Sequence, residues 1–170
     1  MKKSILVFLM LFSILLGINA ATSRTIKVVG TVPQVFEISL SSTTDVPFSL
    51  EDTGGTVALP TVNIKSNLKS WVIKAYSSNG STLKNEDTIP ETAIYTFTLG
   101  SLFSNITLKN TVPAPADGES GGYKLMTAKT PKAGNDYAMS ITYVANAGTE
   151  FRAYDKGTFT DTITIAIAAN

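Results

Sequence analysis

The sequence predicts an all-β protein: a single antiparallel β-sandwich behind a cleaved leader. Three observations carry that prediction. Apolar residues recur with period two in run after run, the pattern of strands with one buried face. Turn signals rich in Gly, Pro, Asn and Asp separate the runs at one to two strand lengths, as in "SSNGS" (77–81), "EDTGG" (51–55), "PAPADGESGG" (113–122) and "TPKAGND" (130–136). After the leader, no window shows a capped 3.6-residue stripe, so no amphipathic helix is expected. A closed barrel is the alternative arrangement of the same strands.

The leader is residues 1–20. Lys2 and Lys3 form a positive start, Ile5 to Leu16 is apolar apart from Ser13, and Ile18-Asn19-Ala20 offers a small residue before the cut. That apolar run is short of the roughly 20 residues a membrane-crossing helix needs. Export is therefore expected, to the periplasm, cell surface or medium, with a mature domain over 21–170 and no membrane span within it.

Each run then takes its place. "TIKVVGTV" sets Ile26, Val28, Gly30 and Val32 on one face, and "VFEISL" sets Phe36, Ile38 and Leu40 on one face. Pro33-Gln34 joins them, so the two read as one bent strand. "VALPTVNI" follows, with Pro60 breaking its ladder because proline lacks an N–H. "SWVIKAY" alternates Trp71, Ile73 and Ala75 inward, and Trp71 reads as a core anchor. "IYTFTL", "LFSNITL" and "YKLMTA" come next. "DYAMSITYVA" turns Tyr137, Met139, Ile141 and Tyr143 inward. The last run, "GTFTDTITIAIAAN" (157–170), sets Phe159, Ile163, Ile165 and Ile167 on one face. Asp161 shares that face and is either solvated at the sheet rim, the reading that Gly157 four residues earlier favours, or buried and hydrogen-bonded.

Composition narrows the chemistry. The 170 residues include no Cys and no His. Triads built on His, Cys–His pairs and His or Cys metal sites are thereby excluded, and no enzyme activity is expected. No metal and no cofactor is expected either. "DGES" and "EDTGG" do not fit the twelve-residue Ca²⁺ loop and read as turns. "SNLK" (66–69) spells Ser-x-x-Lys but precedes a strand rather than lying on a helix. Without Lys2 and Lys3, the 14 basic residues become 12 against 13 acidic ones, with no block of like charge. Nucleic acid, which demands a basic patch, is a poor partner.

Three stretches together resemble chaperone–usher pilins. "TIKVVGTVPQVFEISLSS" resembles the N-terminal arm and first strand of colonisation-factor fimbrial subunits. "NIKSNLKSWVIKAYSS" resembles their Asn-containing turn and following strand, and "AGTEFRAYDKGTFTDTITIAIAAN" resembles their final strand and that of spore-coat protein U-like domains. The resemblance covers both chain ends and part of the middle. It implies an immunoglobulin-like sandwich lacking one strand, and a structural role as a subunit of a surface fibre or coat. An arm over 21–32 would offer Ile26, Val28, Gly30 and Val32 to a neighbour, while Phe159, Ile163, Ile165 and Ile167 would line the accepting edge. The implied partners are a second copy or a related subunit, with a periplasmic chaperone as another. The residues alone leave a second reading open, a self-contained binding module for carbohydrate with Tyr76, Tyr95 or Tyr154 as stacking groups.

Overall fold

A computed structural model describes residues 24–51, 53–87, 91–144 and 157–170. The leader, the start of the arm and Tyr154 lie outside the described residues. The chain divides into two compact units between Val32 and Pro33.

Pro33–Asn170 is an antiparallel β-sandwich. Its strands are β1 (Phe36–Leu40), β2 (Gly55–Ser66), β3 (Trp71–Ser77), β4 (Thr82–Asn85), β5 (Thr92–Leu99), β6 (Phe103–Ile106), β7 (Tyr123–Met126), β8 (Asn135–Tyr143), β9 (Phe159–Thr160) and β10 (Ile163–Ala169). Seven form one sheet in the order β1-β2-β8-β5-β4-β9, with β6 also on β5. The other three form the facing sheet, β10-β3-β7. Among the described residues the helical content is two 3-10 turns, Pro115–Asp117 and Glu119–Gly121, inside the Pro- and Gly-rich loop. Among the described residues no helix is long and apolar enough to cross a membrane.

The inward rows of the alternating runs make the core. Trp71, Ile73 and Ala75 of β3 meet Val62 and Ile64 of β2, Tyr95, Phe97 and Leu99 of β5, and Met139 and Ile141 of β8 in one cluster. Trp71 is fully buried, and its indole Nε1–H donates to Ala128 O at 2.9 Å, so its polar atom is satisfied as burial requires. Pro60 does not end its strand. β2 runs through it, and the register with β8 shifts between Leu59 and Val62, a bulge that absorbs the missing donor.

Two expectations about the chain ends change. Residues 24–32 hold no strand, so Ile26 to Leu40 is not one bent strand. A ladder begins only at Phe36, three residues past Pro33. The terminal run is likewise two strands: Phe159–Thr160 pairs with β4 in the large sheet, and Ile163–Ala169 pairs with β3 in the small one. The chain switches sheets at Asp161-Thr162.

Candidate functional site: an open groove beside the terminal strand

β10 is an edge. Among the described residues its one ladder partner is β3, with Ile163 opposite Ser77, Ile165 opposite Ala75 and Ile167 opposite Ile73. A strand paired on one side leaves alternate N–H and C=O groups free on the other. The seven residues "ITIAIAA" carry no charge and no proline, the two devices that usually blunt such an edge.

β7, at the opposite side of the small sheet, reaches the β5–β6 turn through Lys124 Nζ, which donates to Leu102 O at 3.3 Å. β10 lies on the other side of β3. Phe36 of β1 meets Trp71 edge-to-face at 6.0 Å, tying the start of β1 to the end of β3 where Ala169 pairs.

The inward side chains here are incompletely covered. Ile73 and Ala75 of β3 are fully buried, yet Ile163, Ile165 and Ile167, paired beside that strand, are only half-buried. Ile38 and Leu40 lie opposite the buried Ile64 and Val62 on the core side of β1, but remain 38% and 45% exposed. Val57 and Leu59, on the core side of β2, are also half-buried. Ile38, Leu40, Val57, Ile163, Ile165 and Ile167 are thus inward-facing apolar side chains that the described residues leave partly uncovered. None of these six side chains is ionisable, and the edge strand beside them presents main-chain hydrogen-bonding groups.

The approach to β10 is polar. Asp161 is not a solvated rim residue. Its Oδ1 accepts from Ser78 Oγ at 2.7 Å, Asn79 N at 3.0 Å and Thr162 N at 2.8 Å, and its Oδ2 accepts from Tyr95 Oη at 2.7 Å. Periodicity placed Asp161 among apolar neighbours, but it gave no sign that the chain would turn there and bring these four donors together.

The expected site residues separate into three places. Ile163, Ile165 and Ile167 share the edge strand. Phe159 lies beyond the sheet switch, half-buried on β9 against Asn85. Ile26, Val28 and Val32 of the arm are 85%, 90% and 86% exposed, and no atom comes within 4 Å of a Cβ built on Gly30. The stacking groups of the carbohydrate reading fare less well, since Tyr95 is 1% exposed and buried in the core. Tyr76 is half-buried. No protein-family model and no curated protein matches the chain.

Proposed function

We propose that the protein is an exported, non-catalytic assembly subunit of pilin type, joined to its neighbours by β-strand complementation. The observation that carries this reading is the incomplete burial of two inward rows at sheet edges, Ile163, Ile165 and Ile167 on β10 and Ile38 and Leu40 on β1. An added strand between them would bond to the free main chain of β10 and bury both rows, as in other cases of strand addition. Burial of apolar surface is worth about 25 cal/mol per Å², so an open inward row is a standing driving force for such a strand.

The segment before Pro33 has the right chemistry for the donor. It alternates Ile26, Val28, Gly30 and Val32, and these side chains are exposed. Pro33-Gln34 is a poor two-residue hairpin turn, since proline fixes φ near about −65° while the favoured hairpin turns need positive φ. That favours the groove of a second copy over a tight fold-back.

The test is the size of the exported protein with and without residues 21–32, read by light scattering. Polymer from the intact chain and none from the shortened one supports the reading. A stable intact monomer with a shortened form that fails to fold overturns it.

A further inference from the structure

The row Ile163-x-Ile165-x-Ile167 poses a problem of alignment. Strand register is specified by which side chains face the core, and a shift of two residues keeps the same face inward. Sliding β10 so that Ile163 faces Ala75, Ile165 faces Ile73 and Ile167 faces Trp71 would keep all three isoleucines under the sheet. The shift in the other direction would bring Ala169 opposite Ile73 and lose an isoleucine from the row. The first slip is thus the one the side-chain pattern alone fails to exclude.

We infer that Asp161 is the register pin of β10. It has the same parity as the isoleucines, so in the slipped alignment its carboxylate would move opposite Ser77, which is fully buried. There it would leave Asn79 N and Ser78 Oγ, and burying a carboxylate with fewer donors is strongly unfavourable. In the native alignment the same carboxylate is bonded from the β3–β4 turn, from β5 and from its own neighbour Thr162. Asp161 thereby acts as a positioning residue: it sets where along β3 each isoleucine falls. Other bonds hold the corner as well: Asn79 Nδ2 donates to Thr160 O at 3.1 Å, Thr160 Oγ1 to Glu86 Oε1 at 2.7 Å, Ser78 N to Thr162 O at 2.9 Å and Glu86 N to Thr158 O at 2.9 Å. None of these is a charge that the slip would carry to the buried Ser77, which sets Asp161 apart.

The alignment itself does not depend on what fills the groove. Its consequence does rest on the reading above, since the isoleucine positions fix the pockets that an incoming strand would meet.

The absence of cysteine makes disulfide trapping unambiguous. Directly opposed residues lie about 4.5–5.5 Å apart at Cα, within reach of a disulfide, whereas diagonal neighbours stand about 7–8 Å apart. Lys74 faces Ala166 in the native alignment and would face Thr164 after the slip. In the exported protein, mild oxidation should close Lys74→Cys/Ala166→Cys within one chain and leave Lys74→Cys/Thr164→Cys open. Adding Asp161→Ala should raise closure of the second pair from background to a yield comparable with the first. Asp161→Asn keeps a carbonyl oxygen for the three Oδ1 donors and should restore the native pattern. If Asp161→Ala does not fold, the same pairs in a Ser78→Ala/Tyr95→Phe background decide the matter, with partial closure of the slipped pair expected. Closure of the native pair alone, in whichever of these backgrounds folds, would overturn the inference. The trapping reads contacts within one chain, so it gives its answer whether or not the arm joins copies together.

Discussion

Tyr95 donates its phenolic hydrogen to Asp161 Oδ2 over 2.7 Å, from a ring that is otherwise sealed in the core. The contact joins β5 of the large sheet to the corner where the terminal run crosses to the small one. Burial chiefly, and Asp161 with it, pushes the Tyr95 hydroxyl well above the usual tyrosine range. The unfolded chain would release that proton near pH 10, while the folded chain holds it. The Tyr95 contribution to stability is therefore complete below about pH 10 and is lost as pH rises further, at up to about 1.4 kcal/mol per pH unit. Urea unfolding of wild type and Tyr95→Phe from pH 8 to 11.5 checks this. The phenylalanine variant should be less stable by about 1 kcal/mol at neutral pH, the typical net worth of one hydrogen bond. The gap between the two proteins should narrow above pH 10. A constant gap would contradict the assignment.

Trp71 supplies a second measurement. Replacing it with Ala should cost about 3–5 kcal/mol, as for other large-to-small core changes. Its native fluorescence should be blue-shifted and should move red in one cooperative step with denaturant. Trp71→Phe would retain the contact with Phe36 but lose the bond to Ala128 O, so a smaller loss is expected.

The groove and the arm respond differently to a carboxylate. Val28→Asp alters a side chain that is 90% exposed, so the unfolding midpoint of a single subunit should stay within experimental error while polymer formation stops. Ile165→Asp places the charge on the half-buried inward row and should both block assembly and lower the midpoint. Equal destabilisation by the two would argue that the arm is an internal strand after all.

Gly122 tests the packing of the Pro- and Gly-rich loop. Its φ is +86°, and a Cβ there would lie 2.2 Å from Ala75 O, next to the bond that Ala75 N makes to Gly122 O. Gly122→Ala should cost well over the roughly 1–2 kcal/mol of a left-handed residue alone. Gly80→Ala, with φ +68° and its nearest neighbour at 3.6 Å, should cost only that conformational part. Thermal melts of the pair separate the clash from the conformation.

Most strands were legible because the signal is local. The alternation of Tyr137, Met139, Ile141 and Tyr143, or of Trp71, Ile73 and Ala75, is set by each run's own buried face. Partner choice is not local, and there the reading failed. Phe159 and Ile163 sit on one alternating run yet belong to different sheets, because the corner depends on donors more than sixty residues upstream. β4 is four residues long, too short for a period to show. Residues 26–32 alternate as well as any strand and form none, since alternation reports a chain fit to pair, not the presence of something to pair with.

The β10 edge, unpaired on one side among the described residues, also has a bearing on the lifetime of the protein in solution. A short, uncharged, proline-free segment of high β-propensity is the signature of steric-zipper formation. Ile163 to Ala169 meets each of those conditions, whereas β1 carries Glu37 and β7 carries Lys124. With no lysine or glutamate as gatekeeper, nothing in the edge itself distinguishes a fitting strand from a misfolded one. Holding the protein at high concentration therefore becomes a race against fibril nucleation, and dilution, cold or a soluble strand-mimicking peptide should lengthen its shelf life.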